Sequence, residues 1–175
     1  MIFKKSGNLA SGFPHLHHTA HDRADKARRT LLDHASLLRV EHAIDTDAQP
    51  FIPAGWSIVE HRKHGSLRWR ASDVALWLSA RQGAGNPIGG QDVHRQLQGQ
   101  PVLNATVLDY LFEHPDLIPP SWEGQCVFFW GTIYRRHSGL AVRALVLKDG
   151  VLNYISRRLS LKWFPGSPAA IFATP

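Results

Sequence analysis

The sequence predicts an α+β fold, in which an antiparallel sheet is packed by a helix over residues 104–114 and preceded by an N-terminal helical arm. Two patterns predict this class. Three β-rich segments follow one another over residues 126–135, 140–147 and 151–158, with the short connections that are typical of a meander. A clearly delimited amphipathic helix comes before them and supplies a cover for one face of the sheet.

The turn between the last two segments sets their register. Asp149 and Gly150 form a dipeptide that favours a two-residue hairpin loop, because both residues tolerate the positive φ angles of that loop. The predicted register places two pairs on one face: Leu147 with Leu152, and Leu145 with Tyr154. Both faces are substantially apolar near the turn, so we expect the sheet to be covered on both sides for part of its length.

The helix over residues 104–114 has a start signal and a stop signal. Asn104 can accept a hydrogen bond from an amide of the first turn, which is the role of an N-cap. Leu103 and Leu108 have the spacing of a hydrophobic staple. Pro115 ends the helix, because proline lacks an amide hydrogen and disfavours helical geometry at His114.

Four regions are predicted along the chain. Residues 1–18 are interpreted as a flexible leader, because glycine and proline recur among polar residues. Residues 19–44 are predicted to form a helical arm, in which alanine and leucine recur at three- and four-residue steps. This alanine-rich face is expected to dock on the main domain or on a second copy of the chain. Residues 45–55, with two prolines, are interpreted as a linker, and residues 56–175 as the α+β domain.

The first half of that domain carries shorter elements. Strands are predicted over residues 56–61, 67–70 and 74–78. Residues 83–90 contain four glycines and a proline and are interpreted as a loop. A short helix is predicted over residues 91–98.

Charge is the main functional signal. The chain carries a net charge of +6 and has a pI near 9.9. Residues 1–50 hold seven Lys/Arg against six Asp/Glu, whereas residues 51–175 hold thirteen against eight. The excess therefore lies in the folded part, which favours an acidic partner such as nucleic acid or an acidic protein surface. A mildly basic solvated surface is the alternative.

The composition also predicts the compartment. No apolar run approaches the roughly 20 residues that cross a bilayer, so no membrane association is predicted. The first residues are polar and broken by glycine and proline, unlike a secretory signal. The single cysteine, Cys126, has no partner for an internal disulfide and is interpreted as a small buried residue. We expect a cytoplasmic location.

The block PVLNATVLDYLFEHPDLIPPSW over residues 101–122, with VFFWGTIYR over residues 127–135, resembles an uncharacterised bacterial family. Its members share a sequence close to VLNANVLDYLLxHPxLIPExWK followed by VFFWGTIYRD. The resemblance covers residues 51–163 and leaves the N-terminal arm outside. It implies no activity, cofactor or catalytic residue.

Four residues depart from the family pattern: His64 replaces Gly, Thr106 replaces Asn, and Arg70 and Arg136 stand where acidic residues are expected. The two arginines raise the charge of this chain above what the resemblance implies. Strong positive charge is therefore a feature of this chain and is not extended to the family.

The segment EHRKHG over residues 60–65 combines acidic, imidazole and cationic groups near a predicted strand end. It is not a HExxH zinc motif, because the glutamate precedes the first histidine and the segment is not predicted to be helical. His61, Arg62 and Lys63 are candidate binding residues for a phosphate or a carboxylate. A hydrated strand end is the alternative.

Arginines and aromatic residues meet at one end of the predicted meander. The arginines of this candidate binding set are Arg135, Arg136, Arg143, Arg157 and Arg158. The aromatic strand alternates, with Phe128, Trp130 and Tyr134 on one face and Phe129 and Ile133 on the other. Such a cluster can hold single-stranded nucleic acid by stacking and phosphate contact. Alternatively, the aromatic residues fill the core and the arginines are solvated.

The sequence identifies no metal, cofactor or catalytic group. His15, His17, His18 and His21 lie close together, but a closed zinc site needs about four fixed ligands and a flexible leader does not fix them. Residues 83–90 lack the lysine and Ser/Thr of a P-loop. We therefore predict no cofactor and no metal site.

These observations favour a small basic, non-enzymatic binding or accessory protein that engages an acidic macromolecule. Two alternatives stay open. One is an enzyme acting on a phosphorylated or nucleotide substrate, with His61, Arg62, Lys63 and the glycine-rich loop around its site. The other is a structural subunit that self-associates through residues 19–44 as a homo-oligomer.

Overall fold

The structure is a computed structural model and describes residues 41–137 and 139–173. Its helices are Ala80–Gly83 (α1), Gly90–Gln96 (α2) and Ala105–Glu113 (α3). Its strands are Ala43–Asp45 (β1), Trp56–His61 (β2), Ser66–Arg68 (β3), Val74–Trp77 (β4), Ile88–Gly89 (β5), Cys126–Phe128 (β6), Thr132–Arg136 (β7), Gly139–Lys148 (β8), Val151–Arg158 (β9), Lys162–Trp163 (β10) and Ala169–Phe172 (β11). This part of the chain therefore mixes sheet with a smaller amount of helix, as an α+β class requires.

The main sheet has seven strands and forks. The strand predicted over residues 126–135 is divided into β6 and β7, because the chain turns at Trp130 and Gly131. Both parts pair antiparallel with β8. Beyond them, β7 pairs with β2, whereas β6 pairs with β11 and β11 with β4. On its other side β8 pairs with β9, which has no second partner among the described strands.

Gly131 explains the division of this strand. A Cβ added there would lie 2.9 Å from backbone atoms of Asn104. The Gly131 amide also donates to the carbonyl oxygen of Leu103. The strand therefore approaches the start of α3 so closely that only glycine fits.

The turn also changes which residues share a face. Phe128, Trp130 and Ile133 pack in one core cluster, and Phe129 packs in the other. The expectation that Ile133 shares a face with Phe129 was wrong, because the turn interrupts the twofold alternation of side chains. The aromatic residues of this segment, including Tyr134, are buried and fill the core.

The hairpin register is confirmed. Leu147 pairs with Leu152, and Leu145 pairs with Tyr154. Asp149 and Gly150 form the turn with φ angles of 52° and 73°, as a two-residue loop with positive φ at both positions requires. The hairpin therefore follows from local turn chemistry.

The helix predicted over residues 104–114 is also confirmed, as α3. The side chain of Asn104 accepts hydrogen bonds from the amides of Thr106 and Val107. The helix ends before Pro115, and its buried residues pack against one face of β8 and β9. The opposite face of the sheet is covered by residues of α2 and by Trp163. The prediction that the sheet is covered on both sides is therefore borne out by the two core clusters.

The end of the predicted N-terminal helical arm differs from the prediction. Residues 1–40, with the predicted leader and most of the helical arm, lie outside the described residues. The last part of the predicted arm is not helical, because Ala43–Asp45 forms β1 and pairs with β3. Ile44 is 2% exposed, and an apolar residue between polar neighbours suits a strand as well as the end of a helix.

The predicted linker over residues 45–55 is integrated into the fold. Thr46 is fully buried and donates to the carbonyl oxygen of Gly65. Its own carbonyl accepts from the side-chain amide of Asn104. Prolines and aspartates occur in linkers and in ordered turns alike, so composition alone did not separate the two. Glu41–Pro175 form one compact unit.

The predicted strands and loop of the first half are partly changed. The strand over residues 67–70 lies at Ser66–Arg68, and the short helix over residues 91–98 lies at Gly90–Gln96. The glycine-rich loop contains the end of α1 and the two residues of β5. A Cβ at Gly90 would overlap the Trp163 indole, so this glycine serves close packing.

Candidate functional site

His61 ends β2 and makes hydrogen bonds through both ring nitrogens. Nδ1 lies 2.9 Å from Thr132 Oγ1, and Nε2 lies 3.0 Å from the carbonyl oxygen of Thr46. Because a carbonyl only accepts, we assign the proton to Nε2, and Nδ1 then accepts from the Thr132 hydroxyl. The amide of Ala105 donates to the same hydroxyl oxygen. Both nitrogens of His61 are thus used within the fold.

Arg62 and Lys63 differ in their surroundings. The Arg62 guanidinium donates to three acceptors at and just after the end of α2: the carbonyl oxygens of Leu97 and Gln100 and the side-chain oxygen of Gln98. Cationic side chains commonly satisfy the last carbonyls of a helix in this way. Lys63 is exposed. Of the three candidates in this segment, Lys63 is the most exposed.

Three of the predicted arginines lie together at one end of the sheet. Arg135 and Arg136 end β7, and Arg158 ends β9. Arg136 pairs with Gly139, and Arg158 pairs with Ala141, so all three lie beside the connection from β7 to β8. They are exposed, and none of the ion pairs formed within residues 41–137 and 139–173 includes them.

Arg157 belongs to the same end of the sheet but is half-buried. Its Nε and Nη2 donate to the carbonyl oxygen of Lys162 at 3.2 and 2.6 Å. Its guanidinium also lies over the rings of Trp163 and Phe164, each 5.7 Å away. These contacts hold its orientation while its charge is not neutralised by a described carboxylate. We refer to Arg135, Arg136, Arg157 and Arg158 as the basic rim.

Arg143 does not belong to the basic rim, although the sequence grouped it there. It is 2% exposed and its Nη1 lies 2.8 Å from Asp109 Oδ1 on α3. The guanidinium also lies between 5.1 and 6.0 Å from the rings of Phe51, Tyr134 and Tyr154. Its charge is therefore compensated inside the fold by a carboxylate and by aromatic faces.

The ion pair lies in a partly desolvated place. Burial raises the pKa of Asp109 above its ordinary value, and the Arg143 guanidinium and the Phe51 amide lower it by less. Burial likewise raises the pKa of the Tyr134 hydroxyl. The removal of water thus outweighs the attraction of Arg143 for the charged carboxylate.

We expect this ion pair to give a measurable pH dependence. An acid with a raised pKa binds its proton more tightly in the folded state, so its contribution to stability grows as pH falls through the folded pKa and shrinks as pH rises. The free energy of unfolding of the wild type, minus that of Asp109→Asn, should increase when pH is lowered from 7 toward the ordinary value of 3.8. Urea unfolding of both proteins across this range measures it, and a decrease would contradict the raised pKa.

Two clefts flank Tyr154 on the face of the sheet that carries α3. The first, of about 260 Å³, is lined by Trp56 and by β9 residues. The second, of about 280 Å³, is lined by Phe51 and Phe112. The Arg143 side chain lines both. Sites for small molecules commonly measure about 300–1,000 Å³, so each cleft is slightly smaller than such a site.

Sequence reasoning missed the aromatic residues around these clefts and the partner of Arg143. Phe51 was assigned to a linker, yet its amide donates to Asp109 Oδ2 at 2.7 Å. A signal was present, since Arg143 interrupts an apolar face formed by Ala141, Leu145 and Leu147. A charged residue on such a face implies a buried partner of opposite charge.

Other kinds of site receive no support from the described residues. Among them, no group of three or more His, Cys, Asp or Glu could hold a metal ion, and the histidine cluster at residues 15–21 lies outside them. No helix within residues 41–137 and 139–173 has the length and apolar character for crossing a membrane. No protein-family model, curated protein or solved structure matches the chain.

Proposed function

We propose that this chain is a small non-enzymatic binding or accessory protein that engages an acidic macromolecule through its basic rim. The observation that carries the proposal is the concentration of four arginines at one end of the sheet, outside every ion pair of the described residues. The single cysteine, which has no partner for an internal disulfide, supports a cytoplasmic place of action.

The geometry of the sheet allows arginines of β7 and β9 to contact the same acidic partner. β7 and β9 lie on either side of β8, so their axes are separated by about 10 Å. The register places Arg136 and Arg158 on one face, and Arg135 and Arg157 on the other. Guanidinium groups at this spacing reinforce one another's potential and present paired donors to phosphates or carboxylates.

Trp56 strengthens the case for a surface that makes specific contacts. The Arg136 guanidinium lies 5.5 Å from the centre of its indole ring. Stacking on an aromatic ring orients the planar guanidinium and leaves its outer edge free for bidentate hydrogen bonds. An ordered cation loses less conformational entropy on binding than a freely rotating one.

Charge reversal tests the proposal. The triple variant Arg135→Glu, Arg136→Glu, Arg158→Glu should lose binding to labelled single-stranded DNA, duplex DNA and polyglutamate. Wild-type affinity for the DNA probes should fall roughly 50- to 150-fold between 50 and 200 mM salt if about four phosphates are neutralised. Fluorescence anisotropy at several salt concentrations measures both effects.

A matched control variant separates the effect of the basic rim on affinity from the effect of net charge. The variant Arg70→Glu, Arg81→Glu, Arg95→Glu makes the same change in charge at exposed positions elsewhere. We expect it to retain far more affinity than the rim variant. Equal loss in both variants, or no salt-sensitive binding of any of the three probes, would overturn the proposal.

A further inference from the structure

β9 is a long and regular edge strand. It pairs with β8 through eight consecutive residue pairs without a register shift, and with no other described strand. Edge strands of monomeric proteins are usually short, bulged, or interrupted by proline or by charge at their centre. Residues 151–156 contain no proline and no charged residue, so the usual protections are missing from most of this edge.

The backbone groups that face outward can be assigned. The amide of Leu159 donates to the carbonyl oxygen of Leu140, and residues of an antiparallel strand alternate between bonding to the neighbour and pointing away from it. The residues whose backbone groups point to the free edge are Leu152, Tyr154, Ser156 and Arg158. The carbonyl of Arg158 accepts from Leu161, which leaves four amide donors and three carbonyl acceptors along the edge.

Apolar side chains accompany these backbone groups. Val151, Tyr154 and Ile155 are 58%, 46% and 39% exposed. Tyr154 also contacts the exposed rings of Phe51 and Phe112, and the two clefts open on either side of it. A strand added beside β9 would therefore find backbone partners together with places for alternate side chains, which is the pattern of peptide recognition by strand addition.

Charge is distributed unevenly along the edge. Arg157 and Arg158 form its C-terminal end, with Lys162 beyond them. The turn before its N-terminal end carries Asp149, whose amide donates to the carboxylate of Glu123. An acidic group is thus favoured beside the C-terminal end of β9 over its N-terminal end, where Lys148 is accompanied by Asp149 and Glu123.

We propose that β9 is a docking edge for an extended segment of a partner protein, which adds as an antiparallel strand and has acidic residues in its N-terminal half and alternating apolar residues after them. Antiparallel addition brings the start of the segment beside Arg157 and Arg158. The inference rests on the proposed function and deepens it, because it assigns the acidic partner to a protein segment rather than to nucleic acid.

A second copy of the chain fits this edge less well. Antiparallel pairing of two β9 strands about a twofold axis places Arg157 and Arg158 of each copy beside the N-terminal end of the other, where Lys148 offsets Asp149 and the Glu123 carboxylate already accepts from the Asp149 amide. β9 itself contains no acidic residue, whereas an acidic segment places carboxylates in the added strand directly beside Arg157 and Arg158. Charge complementarity therefore favours the partner segment over self-pairing.

Ser156→Pro tests the inference, with Ser156→Ala as the matched control. The Ser156 amide faces outward, so proline removes a donor from the docking edge without removing a hydrogen bond to β8, and proline is tolerated at such positions. Alanine retains the amide. Thermal unfolding should show that both variants fold.

The probes are twelve-residue peptides enriched from a random display library on the wild-type protein and then synthesised. We expect the enriched peptides to contain acidic residues followed by alternating apolar residues. Ser156→Pro should reduce the affinity of the protein for these peptides about tenfold or more, whereas Ser156→Ala should change it little. Hydrogen exchange should show protection of the outward amides of Leu152, Tyr154, Ser156 and Arg158 by the peptide. Peptides without acidic residues, equal binding to both variants, or protection elsewhere would overturn the inference.

Failure of the inference is distinguishable from failure of the proposed function. One outcome is that no peptide binds at β9, while DNA or polyglutamate binds the wild type and Ser156→Pro equally and with salt sensitivity. This result would support binding through the basic rim and overturn the inference about β9. If the wild type is a dimer by sedimentation and Ser156→Pro is a monomer, β9 pairs with a second copy and the inference is overturned. If none of the probes shows salt-sensitive binding, the proposed function is overturned.

Discussion

Replacing Asp109 with alanine is expected to destabilise the fold by about 2–5 kcal/mol, because the buried Arg143 guanidinium would then lose a hydrogen-bond acceptor that the carboxyl group offers whether it is charged or protonated. The Arg143 side chain is 3% exposed and lies 2.8 Å from Asp109, which is 23% exposed. Arginine stays charged at every accessible pH, so it cannot lower the cost by losing its proton. The Phe51 amide would lose its acceptor as well. Urea unfolding at pH 7 measures the change.

A double variant shows whether the loss comes from the unpaired charge. Asp109→Leu with Arg143→Met replaces both charges by apolar groups of similar volume, and such replacements of buried pairs are often neutral. We expect the double variant to be clearly more stable than Asp109→Ala. A double variant as unstable as the single one would mean that the pair itself, rather than the charge left behind, supplies the stability.

The features that the sequence predicted well depend on neighbouring residues. The hairpin register follows from Asp149 and Gly150, and the start of α3 follows from the side chain of Asn104. Each requires only a few consecutive residues to adopt their preferred geometry. The position of the basic rim follows from the same hairpin, because a known register places Arg157 and Arg158 near the end of the sheet.

The features that escaped prediction depend on contacts between distant parts of the chain. Arg143 became internal because α3 brings Asp109 to it, and the predicted linker became ordered because Thr46 and Phe51 bond to residues far along the sequence. Arg62 was assigned to a binding segment, yet its acceptors lie at the end of α2. Periodicity identifies the faces of single elements and gives no information about which element covers them.

Replacing Asn104 with alanine is expected to cost about 1.5–5 kcal/mol, since one buried side chain serves three segments. Its oxygen caps α3, and its amide nitrogen donates to the carbonyl oxygens of Thr46 and Arg62, both at 2.8 Å. Loss of an N-cap costs about 0.5–2 kcal/mol, and leaving the Arg62 carbonyl oxygen unpaired costs about 1–3 kcal/mol more, whereas the Thr46 carbonyl oxygen keeps its bond from His61. Denaturant unfolding measures the sum.

Asn104→Asp separates the two contributions. The carboxylate retains an oxygen for the cap but has no hydrogen for Thr46 and Arg62, and at neutral pH it places a buried negative charge against two carbonyl oxygens. We expect this variant to be about as unstable as Asn104→Ala at pH 7 and to recover part of its stability at acidic pH, where a protonated carboxyl group can donate one hydrogen bond. A variant as stable as the wild type at pH 7 would show that capping alone explains this residue. The bonds from Asn104 to the segment over residues 45–55 and to the end of β2 would then be dispensable.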